Sequence, residues 1–113
     1  MRRGAKMVML FKSRKALDFL LKHGEVVTFR LHERKTGKDW ITDRRGGKKI
    51  ADVEVVLLEK VRKPSYRATY FQKYVHKSGF DNVKEWWDEI VKLNGFSKFM
   101  NAEKGYFYLV RLR

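Results

Sequence analysis

The segment Ile50–Val61 most constrains what this chain can fold into. Val53, Val55 and Leu57 fall on one side of an extended strand, and Val56 and Leu58 put apolar groups on the other. A strand that must bury both faces cannot lie at the surface of a simple two-layer sheet. It fits a barrel strand whose outer face is covered by a helix. Three further strands surround it. Val8–Phe11 reads as a short buried strand, Val26–Leu31 is rich in β-branched and aromatic residues, and Tyr106–Arg113 closes the chain.

Helices fill the gaps. Ser13 is placed to cap a helix whose stripe is Leu17, Leu20 and Leu21, and His23-Gly24 closes it, with Gly24 suited to a left-handed C-terminal position. Ser65/Tyr66–Lys77 carries Tyr66, Tyr70 and Tyr74 on one face and is broken by Ser78-Gly79. Asn82 and Glu85 have the spacing of a capping box, and Val83, Trp86, Trp87, Ile90 and Val91 keep an amphipathic period up to Asn94-Gly95. Pro64 falls at a strand-to-helix junction. The order is β-α-β-loop-β-α-α-β. It predicts an α+β fold, a small mixed β-barrel with flanking helices, formed by residues 1–113 as a single domain.

Charge is unevenly spread over this frame. Lys and Arg number 27 against 13 Asp and Glu, a formal net charge of +14 in 113 residues. Residues 1–49 hold 15 basic and 5 acidic side chains, and residues 50–113 hold 12 and 8. A field of this sign attracts polyanions, nucleic acid first among them. With 43% hydrophobic residues the chain has material for a core, so the charge does not imply disorder. No apolar run approaches the ~18 residues of a membrane span. Met7–Phe11 is too short for the core of a secretion signal. Cysteine is absent, which excludes disulfides and thiol chemistry and makes the cytoplasm the expected compartment. A single glutamine, Gln72, beside many Lys and Glu leans toward a thermophile's composition.

The order of elements and three segments resemble the ASCH domain family of the PUA-like β-barrel superfamily. Gly24-Glu25-Val26-Val27-Thr28-Phe29-Arg30 is similar to the family's Gly…Lys…Thr-x-Arg segment. Gly47-Lys48-Lys49-Ile50-Ala51-Asp52-Val53-Glu54-Val55 is similar to its glycine-basic step into a long strand. Ser78-Gly79-Phe80-Asp81-Asn82-Val83-Lys84-Glu85-Trp86-Trp87 resembles its Gly-Phe entry into a helix. The resemblance implies a cleft between barrel and helices that receives RNA or a nucleotide. One branch of the family hydrolyses the acetyl amide of N4-acetylcytidine with a lysine, a threonine and a glutamate. Thr28 matches the threonine, and Glu25 stands where that branch has its lysine.

Candidate site residues follow from chemistry as well. The segment 34–49 carries seven basic residues, Arg34, Lys35, Lys38, Arg44, Arg45, Lys48 and Lys49, against Asp39 and Asp43. It is too polar for a core and reads as a long hairpin-like loop, with room for a short strand around Trp40-Ile41-Thr42. Its cations can meet phosphates, and Gly46-Gly47 would let backbone N–H groups approach an anion. It lacks the spacing of a P-loop. Trp40 within it is a candidate for stacking on a base. Thr28 and Arg30, two apart, share one face of their strand, where Arg30 could grip a phosphate or a base edge, or else pair with Glu33 or Glu54. Trp86 and Trp87, and the tyrosine row, fit core packing better than a site. His23, His32 and His76 have no ligand spacing, so neither a metal nor a cofactor is expected. Lys104–Tyr108 echoes the start of an RNA-binding RNP1 motif, but the chain ends too soon for that fold.

Three functions follow as expectations. The first is an RNA-binding module for structured or modified RNA, tRNA or rRNA, using Arg30, Arg34, Lys35, Lys38, Trp40, Arg44, Arg45, Lys48 and Lys49. The second is an amidohydrolase acting on an acylated nucleoside through Thr28. The third is a basic adaptor for an acidic protein partner. A monomer is expected over an oligomer.

Overall fold

A computed structural model describes residues 8–62 and 69–113. Five strands form one curled, mixed sheet, a half-barrel. They are β1 (Val8–Leu10), β2 (Glu25–Arg30), β3 (Gly37–Thr42), β4 (Ala51–Arg62) and β5 (Lys104–Leu112). Their order in the sheet is β1-β3-β4-β5-β2. β1 runs parallel to β3, and the other three pairings are antiparallel. β1 and β2 are therefore the two edges of the curl. The helices are α1 (Arg14–His23), α2 (Thr69–Tyr74), α3 (Val83–Asn94) and α4 (Phe96–Asn101), with a 3-10 turn at Val75–Lys77. No helix among the described residues is long and apolar enough to cross a membrane.

The caps act as their chemistry predicts. The Ser13 hydroxyl accepts the Ala16 N–H at 3.3 Å and starts α1. Gly24 ends it at φ 87°, a left-handed conformation that a side chain would strain. The Asn82 carboxamide accepts the Glu85 N–H at 2.9 Å and starts α3. The return half of the expected capping box is not made. The Glu85 carboxylate instead accepts the Asp81 N–H and the Lys15 ammonium, which ties α3 to α1. At the same junction Gly79 lies against the α1 backbone, where a Cβ would sit 2.7 Å from the Lys15 carbonyl oxygen.

The two faces of the sheet bury separate cores. Inside the curl, Met9, Val26, Ile41, Val53, Val55, Tyr108 and Val110 pack against Ala16, Leu17 and Leu20 of α1. Outside it, Val27, Phe29, Val61 and Phe107 pack against Phe71 of α2, Trp86 and Ile90 of α3 and Phe99 of α4. The outer core is mostly aromatic. Phe107 is fully buried, with ring centroids 4.9–6.0 Å from Phe29, Phe71, Tyr74 and Trp86. Truncating such a ring to alanine costs about 3–5 kcal/mol. β4 serves both cores because its pairing with β5 shifts between Leu57 and Glu59. Leu57 pairs with Tyr108 of the inner face, and Glu59 pairs with Phe107 of the outer face. The extra residue flips the side-chain parity, so Val55 points inward and Val61 outward.

Three expectations need adjustment. The charged segment is not a long loop: Gly37–Thr42 is a full strand paired with β4, from Gly37 opposite Val55 to Ile41 opposite Ala51. Burial alternates over Lys38–Ile41. Asp39 and Ile41 are buried while Lys38 and Trp40 face the other way, and the buried acid at 39 disguises the pattern. Beyond Gly95, α4 buries Phe99 where no element was expected. The described part of the expected helix over 65–77 is the six residues of α2 and a 3-10 turn, while Pro64 and Tyr66 lie outside the described residues.

Candidate nucleotide-binding cleft

The two edges of the curl are not paired with each other, and a cavity of about 280 Å³ opens at that seam. Leu10 of β1 and Phe11, Lys12 and Ser13, which lead into α1, form one wall. Val27–His32, the end of β2 and its exit, form the second. Trp86, Glu89, Ile90, Leu93 and Asn94 of α3 form the third. The walls are largely aromatic and aliphatic, with a few polar groups converging among them. This is the usual make-up of a small-ligand site.

Thr28 and Arg30 sit side by side in this cleft, on the face expected from their spacing. Thr28 is buried, and its hydroxyl accepts the Arg30 Nε–H at 3.4 Å. The Arg30 guanidinium lies over the Phe11 ring, 5.3 Å from its centroid. Neither Glu33 nor Glu54 pairs with it, and it has no ion pair among the described residues. Burial, and then the neighbouring charge of Arg34, pull Arg30 down to about 10, so it remains a cation at neutral pH.

Arg34 also lines the cleft, and it is held by several bonds. Its backbone N–H donates to the Tyr108 hydroxyl at 2.6 Å. Its Nη2 donates to the Val8 carbonyl at 2.9 Å and meets the Asp39 carboxylate at 3.4 Å. Arg34 thus ties the segment after β2 to β1 across the seam. Asp39 is almost fully buried, and burial raises its pKa while the Trp40 N–H and Arg34 act against that rise. The Arg34 Nε–H is buried and has no hydrogen-bond partner among the described residues.

The other basic residues of 34–49 lie elsewhere. Lys35 is exposed on a shallow surface with Glu33 and Glu54. Lys38 is exposed on β3 opposite Glu54. Arg44, Arg45, Lys48 and Lys49 are exposed at the tip of the β3–β4 hairpin, where Arg44 pairs with Asp43 and Lys49 with Asp52. The Phe11 N–H donates to the Thr42 carbonyl, so the base of this tip adjoins a cleft wall. The Gly47 N–H is taken by the Arg44 carbonyl, which removes one backbone donor expected for an anion. Trp40 is half-buried on β3 opposite Asp52 and does not line the cleft.

Glu25 occupies the other face of β2. Its carboxylate accepts from Lys77 at 2.6 Å and Arg111 at 3.5 Å, and the Lys77 bond chiefly holds its pKa below the usual range. No carboxylate or histidine hydrogen-bonds the Thr28 hydroxyl among the described residues. Sequence reasoning missed Lys12, Glu89 and Asn94 as cleft residues and set His32 aside. Glu89 and Asn94 flank the apolar stripe of α3, which was their one signal. No group of His, Cys, Asp and Glu among the described residues could hold a metal.

No family model, curated protein or solved structure matches the chain. The class stated by the molecule itself is an α+β half-barrel with flanking helices and a ligand-sized cleft at its seam.

Proposed function

We propose that this protein is a cytoplasmic RNA-binding module of the PUA-like, ASCH kind, which takes one base into the seam cleft and phosphates along the hairpin tip. One observation carries the reading. The cleft joins apolar walls to Thr28 and to an Arg30 guanidinium that no carboxylate among the described residues neutralises. A planar, hydrophobic ring with polar edges suits such walls, and Arg30 can donate to base acceptors. Arg44, Arg45, Lys48 and Lys49 extend the positive surface beside it.

The test is a titration of tRNA, an unrelated duplex DNA and an acidic protein at several salt concentrations. Tighter binding of tRNA, with a log–log salt slope of about −3.5 to −4.5 for roughly five neutralised phosphates, is expected. A flat slope, or equal binding of all three, removes the reading.

The amidohydrolase reading keeps one supporting observation, that Thr28 lies in the cleft with Lys12 and Glu89. A nucleophilic threonine needs a base within hydrogen-bond reach, and the contact made is with a donor, Arg30. Thr28→Ala separates the two. It abolishes turnover of an acylated nucleoside if Thr28 is a nucleophile, whereas if the protein only binds it lowers RNA affinity far less than Arg30→Met does, since Thr28 gives Arg30 one long hydrogen bond.

A further inference from the structure

We propose that the cleft contains an anion subsite, formed by Lys12, Arg30 and Arg34, for the phosphate of the nucleotide whose base the cleft holds. The inference rests on the nucleotide reading and adds to it the ligand's second recognised group. It predicts that the minimal ligand is a phosphorylated nucleotide, not a nucleoside.

Three observations support it. The first is the balance of charge: Lys12, Arg30 and Arg34 line the cavity, and Glu89 is the one carboxylate among its described lining residues. The second is that the donors lack acceptors. Arg30 makes one long hydrogen bond, from Nε to Thr28, and its two Nη groups bond to no described residue. Arg34 lines the cavity too, with Nη2 spent on Val8 and Asp39, and no bond to a described residue is made by its Nη1. The third is that these cations are not free to swing away. Phe11 underlies Arg30, while Tyr108 and Val8 fix Arg34. Two guanidinium groups held in one apolar-walled cleft repel each other, and that repulsion contributes to the lowered pKa of Arg30. An anion between them removes it.

The start of α1 adds to the same field. Ser13 and Ala16 border the cavity, the first turn holds no acidic residue, and the partial positive charge of a helix N-terminus favours an anion. A phosphate offers several strong acceptor oxygens to such donors, and guanidinium groups bind it with matched geometry.

The experiment is calorimetric titration of the intact protein with the four nucleosides, their 5′-monophosphates and inorganic phosphate. At least one monophosphate is expected to bind about tenfold or more tightly than its nucleoside, as charge-assisted hydrogen bonds require. Inorganic phosphate is expected to bind more weakly than that monophosphate. Arg30→Met should abolish the advantage of the monophosphate. Lys12→Met, at an exposed position, should reduce it even if Arg30→Met does not fold.

Equal affinity for nucleoside and monophosphate overturns the subsite, as does an advantage that survives both substitutions. Inorganic phosphate binding as tightly as the monophosphate identifies a free-phosphate site and overturns the nucleotide form. If tRNA binds but no monophosphate has an advantage, the subsite falls and the RNA reading stands. If the advantage is found and tRNA does not bind, the RNA reading falls and the subsite stands.

Discussion

Two basic regions among the described residues are built in opposite ways. At the hairpin tip Arg44, Arg45, Lys48 and Lys49 are exposed, and Arg44 and Lys49 already pair with aspartates beside them. In the cleft Arg30 has an aromatic ring beneath it and no counter-ion among the described residues, and Arg34 is fixed through its backbone and one arm of its guanidinium. Charge count favours the tip, and organisation favours the cleft. A solvated cation gives a screened, sequence-blind attraction, while a partly buried and fixed one gives orientation and selectivity.

The comparison can be broken by experiment. The largest effect is expected from replacing Arg44, Arg45, Lys48 and Lys49 together by glutamine. The salt slope for single-stranded RNA should flatten by up to about 0.7 for each phosphate that is no longer neutralised, and affinity should fall uniformly across sequences. Arg30→Met removes one charge, so its slope change should be small, yet RNA affinity should drop about tenfold because the donors it removes were held in place over Phe11. Arg30→Lys should not restore it, since an ammonium cannot replace a planar fork, whereas Arg44→Lys with Arg45→Lys should leave binding within about twofold. An equal response to lysine at both regions would erase the distinction. Trp40→Ala should alter RNA affinity less than any of these, because Trp40 stands outside the cleft.

A further prediction concerns acids away from both regions. Glu25, Glu59 and Glu85 have folded-state pKa values below the usual 4.5, held there chiefly by hydrogen bonds from Lys77, Lys73 and Lys15 respectively. The unfolded chain therefore takes up these protons first. Their contribution to stability is present above about pH 4.5 and is lost as the pH falls through the folded values. Thermal melts should decline over that acid range, and Glu25→Gln should flatten the decline while leaving the neutral-pH salt slope for RNA unchanged.

Much of the frame was legible because it depends on local chemistry. Ser13, Gly24 and Asn82 mark helix ends through their own side chains or their lack of one, and Thr28 and Arg30 share a face because strands have a period of two. β3 was obscured since its inward positions include a buried aspartate, compensated by Arg34, a residue from outside the strand. α4 is six residues long and depends on Phe99 packing against Trp87, a pairing no local pattern announces. The cleft was half legible for a related reason. Lys12, Arg30 and Glu89 come from three separate stretches and meet only when the sheet curls and α3 docks, so their spacing in sequence carries no signal.

The register shift in β4 has a consequence for how this chain can change. One strand feeds the inner core before Leu57 and the outer core after Glu59, and the single extra residue makes both possible. Removing one residue there would not shorten a strand so much as exchange inside for outside along half its length, sending Val61 inward or Val55 outward. Length variation in β4 should therefore be tolerated in steps of two and rejected in steps of one, a counting rule imposed by the backbone on any descendant of this sequence.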